Sequence, residues 1–454
     1  PYRCEVRPVV YIPQAPGLLS GAGKVARVSI VDGLETDVKS LSAALAAQGC
    51  GVFASSVAVD ATFILSGLTH ADAATRHWRA LEAARNAKQT ARRLIFLQRA
   101  APASGLEGLS RTLRKEWPSP DVTCWTLPPL PQEEEARLIV HALSAGYGDG
   151  VLQPDGSILT PVTDETLSPA ALPPQAPGIW LITGGARGVT AACAEALARE
   201  TQGTILLAGR SAETPWPDDL PQTGDIKTLR GLLAQRARNA GERMAPAEID
   251  RLARAHLAGA EIRETLAKVR AAGAEVDYIP MDVADTESVR VSLGAVQARY
   301  GRITGWVHGA GVLADRLVDE KTEDELRRVF APKIGGYENI LRAVDAAQLS
   351  HIAFFSSAAA FYGNHGQSDY AMANALLTNA AHQIAGDAPE TRIKVFHWGP
   401  WAGGMVDASL ASHFESQGIP LIPVDEGARI FATELLAGDP AQLELVVGEA
   451  WAAS

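Results

Sequence analysis

Short runs of β-branched and aliphatic residues alternate with Ala-rich stretches of helical period along most of the chain. That is how repeated βαβ units around a buried parallel sheet read in sequence. In the first part, strands are expected at Ala26–Val31, Gly51–Ala54, Ala61–Leu65, Leu94–Leu97 and Val122–Thr126, with helices between them. A Pro-rich stretch from Thr160 to Gly178 has no period and reads as a linker. The pattern then restarts, with strands expected at Ile179–Thr183, Thr204–Ala208, Val276–Met281, Thr304–His308, Ile352–Ser356 and Ile393–His397, and a helix at Ala191–Arg199. The predicted fold class is therefore α/β: two tandem, doubly wound parallel-sheet units over residues 1–160 and 178–454, joined by a linker at 161–177. The halves also echo each other, TFILSGL against GWVHGAG and RLIFLQRA against HIAFFSSA, as a worn duplication would. Only the second half has a glycine-rich turn after its first strand, so the first is expected to be structural.

Between Arg210 and Asp282 lie 71 residues, where a crossover usually needs one helix. The surplus, about 213–272, reads as a solvated surface insertion. Helices are expected at Asp225–Gly241, from Pro246 onward, and again at Glu261–Ala272.

A length of 454 residues supports two sizeable cores, and 47% hydrophobic with 20% charged residues excludes a disordered chain. No apolar run reaches the roughly 18 residues of a membrane span. A net charge of -11 argues against nucleic acid or an anionic membrane as partner. Cys4, Cys50, Cys124 and Cys193 are scattered, with no CxxC and no His cluster at metal spacing, so no metal and no disulfide framework are expected and the compartment is read as reducing and cytoplasmic. The start at Pro1, with no Met or signal peptide, suggests a piece of something longer.

The turn LITGGARGVT joins a buried strand to a helix, so backbone N–H groups around Thr183, Gly184, Gly185, Gly188 and Val189 and the positive helix end converge on one spot suited to a pyrophosphate. At the end of the next strand an NAD site would offer Asp or Glu to the ribose. This chain offers Arg210, with Arg187 in the turn, and two cations suit the 2′-phosphate of NADPH. Asp282 and Val283 of MDVAD stand where an adenine would lie, and His308, Gly309, Ala310 and Gly311 end the fourth strand where a cofactor passes close to the backbone.

Ser357 and Tyr370 are thirteen residues apart, Asn374 is one helical turn beyond Tyr370, and Lys333 lies 37 residues before it. A phenol of pKa about 10 is a poor acid at neutral pH unless a cation draws it down. Lys333 is the candidate cation, Tyr370 the general acid, Ser357 the donor to a carbonyl oxygen, and Asn374 the holder of a relaying water.

With these residues the chain resembles short-chain dehydrogenases/reductases of Rossmann-like fold, and in particular the ketoreductase domains of modular or iterative polyketide synthases. Most of that superfamily places a Lys four residues after the Tyr. Here that position is Asn374 and the Lys is upstream, an exchange similar to synthase ketoreductases, as are VFAPKIGGYENIL, VHGAGVLADRL and HWGPWAGGM. TGGARGVTAACA with the long insertion is similar to polyunsaturated fatty acid synthases. The resemblance implies a pseudo-dimer of a structural and a catalytic half, NADPH as cofactor, a β-ketoacyl thioester on an acyl carrier protein as substrate, and neighbouring synthase domains as partners. Leu313, Ala314 and Asp315 keep one Asp of the family's LDD motif, and Tyr362 replaces the Trp that marks A-type enzymes, which together imply a B-type, D-hydroxy product. Thr190 stands where the family's turn has its last Gly. Trp398 and Trp401 flank Pro400 where the substrate lid begins and are expected to line the acyl pocket. Arg236, Arg238, Arg243, Arg251 and Arg254 are expected to give the insertion a basic patch for an acidic carrier. A silent scaffold domain and a stand-alone reductase of a soluble ketone are the competing readings.

Overall fold

A computed structural model describes residues 4–15, 25–164, 176–403, 414 and 419–449. Its strands are β1 (Val6–Pro13), β2 (Arg27–Val31), β3 (Gly51–Phe53), β4 (Ala61–Gly67), β5 (Arg93–Arg99), β6 (Asp121–Leu127), β7 (Gly150–Leu152), β8 (Ile158–Thr163), β9 (Ile179–Thr183), β10 (Thr204–Gly209), β11 (Glu275–Pro280), β12 (Gly305–His308), β13 (His351–Ser357), β14 (Arg392–Trp398) and β15 (Glu444–Val447). The helices are α1 (Glu35–Ala47), α2 (Ala73–Ala87), α3 (Leu106–Glu116), α4 (Gln132–Ala145), α5 (Gly188–Thr201), α6 (Ile226–Asn239), α7 (Pro246–Ala271), α8 (Thr286–Tyr300), α9 (Glu323–Phe330), α10 (Gly336–Ala343), α11 (Ala358–Tyr362), α12 (Ser368–Asp387) and α13 (Val424–Ala437). None of the described helices is long and apolar enough to cross a membrane.

The strands form one sheet in the order β11-β10-β9-β12-β13-β14-β15-β1-β8-β7-β6-β5-β4-β2-β3. From β11 to β15 every pairing is parallel, and the order reverses beside β9, between β10 and β12. This reversal opens a crevice beyond the carboxyl ends of the strands, where open α/β sheets bind ligands. In the first half, β3 to β7 is again parallel, in the doubly wound order that starts from a central strand. The join is antiparallel: β1 pairs with β15 through Val6–Pro8 and with β8 through Val9–Pro13.

Two expectations are corrected. Residues 158–163 form β8, so the expected linker begins inside a strand, while residues 165–175 lie outside the described residues. The second and third helices of the insertion are one continuous helix, α7, whose last turns are no surface element. Ile262, Leu266 and Val269 are buried in the same core as α5, and Thr265 Oγ1 donates to Ala186 O at 3.0 Å. Only the first part of the insertion has a small core of its own, around Leu229, Leu233 and Ala253.

The halves meet backbone to backbone at α3 and α12. A Cβ on Gly105 would lie 2.1 Å from Met372 O, and one on Gly108 would lie 2.5 Å from Ala371 O. No side chain fits there, which is why α3 presents glycine. Arg111 of α3 adds a hydrogen bond to Ala360 O in α11 at 2.7 Å.

Candidate active site

β9 is buried along Trp180–Thr183 and delivers the chain into the turn that starts α5. Gly184 and Gly188 take φ of +74° and +59°, the left-handed region that glycine enters without steric cost. Gly184 N–H donates to Ala208 O at 2.8 Å, and a Cβ there would stand 3.0 Å from the backbone of Gly309 and Ala310, so the turn and the end of β12 are in direct backbone contact. Gly309 also makes room for Thr190: a Cβ at 309 would meet the Thr190 side chain at 2.8 Å. Gly311 makes room for Lys333 in the same way, at 3.1 Å.

Gly184, Arg187, Gly188, Val189, Arg210, Val283, Gly309, Ala310 and Gly311 line a cleft over the ends of β9–β12. Four expected cofactor residues do not line it. Thr183 and His308 are fully buried beneath it, Gly185 packs on Ile182, and Asp282 accepts from Ala284 N–H in its own turn at 3.0 Å. Burial pushes the His308 imidazole down to about 3, so the ring is neutral. Its Nε2 lies 2.8 Å from Lys333 O, which can only accept, so Nε2 carries the proton and Nδ1 accepts from Thr183 Oγ1 at 2.8 Å. His308 therefore anchors the backbone of Lys333.

Sequence reasoning missed Glu261, which α7 contributes to the same cleft, 3.6 Å from Arg187 Nη1. Of the five arginines expected to form a basic patch on the insertion, two are ion-paired: Arg236 with Asp219 at 3.1 Å and Arg254 with Asp250 at 2.9 Å.

The cleft runs into a second cavity through the shared residues Val189, Thr190, Gly309 and Gly311. This cavity is lined by Lys333, Ser357 and Tyr370, together with Leu313, Asn364, Gln367, Trp398, Trp401 and Phe414. Ser357 ends β13 and caps α11, accepting from Ala359 N–H at 3.1 Å. Lys333 sits on a π-helical turn, Ala331–Gly335, and is buried. Its Nζ donates to Phe355 O at 2.9 Å and lies 5.9 Å from the centre of the Tyr370 ring. Asn374 Nδ2 donates to Tyr370 O at 2.9 Å, while its Oδ1 is buried without a partner. Trp398 and Trp401 serve both as cavity wall and as core, their rings 4.8 Å apart at 66°.

The surroundings of Lys333, Tyr370 and Tyr362 add to the picture. Burial pushes the Lys333 ammonium down to about 7, and burial also pushes the Tyr370 phenol up, against hydrogen bonding from Asn374 and Ser357. In the protein by itself removal from water therefore dominates at both groups, and the Tyr370 phenol lies above its ordinary value. Tyr362 is not among the residues lining the cavity. α11 ends there, Gly363 reverses the chain at φ +73°, and Tyr362 interacts instead with Thr163 of β8. Asp315 is exposed, accepts from Gln367 Nε2 at 3.1 Å, and its charge adds to the upward push on Tyr370. Of the lid expected after Trp401, residues 404–413 and 415–418 lie outside the described residues.

The KR domain family profile matches residues 178–403. Those residues are a KR domain. Over 278 residues the chain is 35% identical to a polyunsaturated fatty acid synthase polypeptide of Thraustochytrium sp., and over 273 residues 30% identical to a phenolphthiocerol/phthiocerol polyketide synthase polypeptide of Mycobacterium tuberculosis. These matches take in 60% and 59% of the chain but only a tenth of either relative's length. The fold matches a ketoreductase from the first module of phoslactomycin biosynthesis in Streptomyces sp., with a TM-score of 0.73 at 20% identity over 99% of this chain and 94% of that one. A ketoreductase domain from the bacillaene assembly line gives 0.68 at 22%, covering 98% and 97%. Both span the first half as well as the KR domain, so the paired architecture is common to all three chains.

Proposed function

We propose that the KR domain reduces the β-keto group of an acyl thioester held on the phosphopantetheine arm of an acyl carrier protein, with NADPH as reductant, inside a polyketide or polyunsaturated fatty acid synthase. The supporting observation is that Lys333, Ser357 and Tyr370 line one cavity that opens into a cleft flanked by Arg187 and Arg210. The cleft suits a dinucleotide: its glycines leave backbone bare at the start of α5, where N–H groups and the helix dipole favour a pyrophosphate. Gly184, Gly188, Val189 and Gly309–Gly311 would hold the cofactor, and Arg187 and Arg210 its 2′-phosphate. The chemistry NADPH supplies when bound is hydride donation to the ketone carbon.

The chain's own residues do the rest. Ser357 Oγ donates to the ketone oxygen, and the Tyr370 hydroxyl, kept protonated by its raised pKa, delivers the proton to the developing alkoxide. The Lys333 ammonium steadies the phenolate left behind, and Asn374 Oδ1 is an acceptor for a relaying water. Leu313, Ala314 and Asp315, with no Trp at position 362, favour a B-type, D-configured product.

Mixing the protein with NADPH and a β-ketoacyl N-acetylcysteamine thioester, following loss of NADPH absorbance and resolving the product on a chiral column, tests both parts. No turnover would defeat the enzymatic reading, and an L product the stereochemical one. Arg210→Ala should raise KM for NADPH about tenfold or more and leave NADH unaffected, because a charge-assisted phosphate contact is worth roughly 1.5–3 kcal/mol. Equal effects on both cofactors would count against a 2′-phosphate site.

The lowered Lys333 pKa fixes a sign. The ammonium exists below about 7 and is lost as pH rises. The rate of the chemical step is therefore expected to fall as pH rises through about 7, by up to tenfold per unit, and Lys333→Met should remove that limb. A profile unchanged in the Met variant would assign the limb elsewhere.

A further inference from the structure

Two loops form the wall of the catalytic cavity beside Tyr370. One runs from Val312 to Lys321 and brings Leu313 to the cavity; the other runs from Gly363 to Gln367 and brings Asn364 and Gln367. They touch through Arg316 N–H to Gly366 O at 2.8 Å and Gln367 Nε2 to Asp315 Oδ2 at 3.1 Å. What fixes their spacing comes partly from elsewhere in the fold. Glu116, the last residue of α3 in the first half, accepts from Val318 N–H at 2.6 Å with one carboxylate oxygen and from Gly366 N–H at 2.8 Å with the other. Arg85 of α2, also in the first half, donates to Val318 O at 2.7 Å through Nε and to Lys321 O at 2.6 Å. From inside, the fully buried Lys321 ammonium donates to Ala314 O, to Gly366 O at 3.2 Å and to Asp369 Oδ1 at 3.0 Å. Asp369 immediately precedes Tyr370 and accepts its N–H at 2.9 Å.

Hence each loop is held by the same carboxylate on one side and the same ammonium on the other. A single carboxylate that takes one backbone N–H from each of two loops measures the distance between them. Glutamine keeps the shape but offers an NH2 to one of those N–H groups, so one bond is lost and two donors face each other. Because Glu116 is only half-buried, the substitution need not cost the fold.

We propose that Glu116 is a positioning residue for the reaction: bridging Val318 and Gly366, it sets the gap through which the substrate reaches Tyr370 and so governs which face of the ketone is presented. This rests on the ketone-reductase reading given above. The structural half thereby takes part in specificity as well as in support.

The test compares wild type with Glu116→Gln and Glu116→Asp in the full chain. The measurements are kcat, KM for NADPH, the enantiomer ratio of the alcohol, thermal melting, and backbone hydrogen exchange over 312–321 and 363–370. For Glu116→Gln, a fall in kcat of about 10- to 100-fold is expected from a displacement of the order of 1 Å. The minor enantiomer should rise severalfold, KM for NADPH should stay within about twofold, and exchange at Val318 and Gly366 should quicken. Glu116→Asp, which keeps two acceptors, should recover part of the enantiomer ratio. Wild-type kinetics and enantiomer ratio in the Gln variant, or losses in kcat and NADPH affinity that merely track a lowered melting temperature, would overturn the proposal. If wild type itself reduces no ketone, the reductase reading falls, and hydrogen exchange still decides the clamp: unchanged rates at both loops would show that Glu116 does not hold them.

Discussion

Tyr370→Phe is expected to lower kcat by roughly 10²–10⁴-fold, the usual worth of a positioned general acid. The ring stays, its packing stays, and only the hydroxyl that delivers the proton is removed. KM for NADPH should remain within about twofold, since the cofactor cleft is lined from β9–β12 and α7 and does not include Tyr370. The residual rate should no longer depend on Lys333, because the phenolate that the ammonium steadies cannot form. Steady-state kinetics on the single and double variants check both statements. Turnover by the Phe variant within a few-fold of wild type would remove Tyr370 from the chemistry and require another donor among the residues around the cavity.

A second large loss is expected from a residue that touches neither substrate nor cofactor. Gly108→Ala places a methyl 2.5 Å from Ala371 O and 2.8 Å from Met372 N, and because those atoms are main chain, α12 has to move. Ordinary contact begins near 3.4 Å, so the shift is of the order of 1 Å, at the two residues that follow Tyr370. Displacements of that size away from the chemistry cost about 10²-fold in rate, and overpacking of this kind costs about 1–3 kcal/mol of stability. The expected signature is a large fall in kcat with a modest drop in melting temperature and near-normal NADPH affinity. If kcat held within twofold, the contact between α3 and α12 would be slack and the support by the first half merely passive.

Eleven of the parallel strands were readable because each has a short, mainly apolar or β-branched run between turn residues, and the expected and observed boundaries differ by no more than two residues. The strands that escaped, β1, β7, β8 and β15, belong to or adjoin the antiparallel join and lack that signature. β1 carries Pro8 and Pro13, which argue against a strand with two hydrogen-bonded neighbours. It tolerates them because it changes partner partway along, so each segment has one described neighbour. β15 begins with Glu444, an unpromising core residue. In the fold Glu444 is buried and bonded to Tyr11, His382 and His397, at 2.9, 2.6 and 2.9 Å; burial pushes its carboxyl up, but the hydrogen bonds and charges of the two histidines outweigh that and hold it well below the usual carboxylate range. At the candidate site, Lys333, Ser357 and Tyr370, which share one cavity, were legible from spacing. The contacts behind that cavity were not: Glu116 and Gly108 lie some 250 residues from Gly366 and Ala371 in sequence, and no local pattern announces a contact between residues so far apart.

The antiparallel join has a practical meaning for anyone handling this domain. The family boundary at 178 invites excision of the KR half. Such a piece would leave β15 without the neighbour that covers it and would bare the stretch of α12 against which the glycines of α3 are fitted. An uncapped strand beside an exposed small-residue helix face is a template for another chain. The two halves are thus best kept together as the covalent pair.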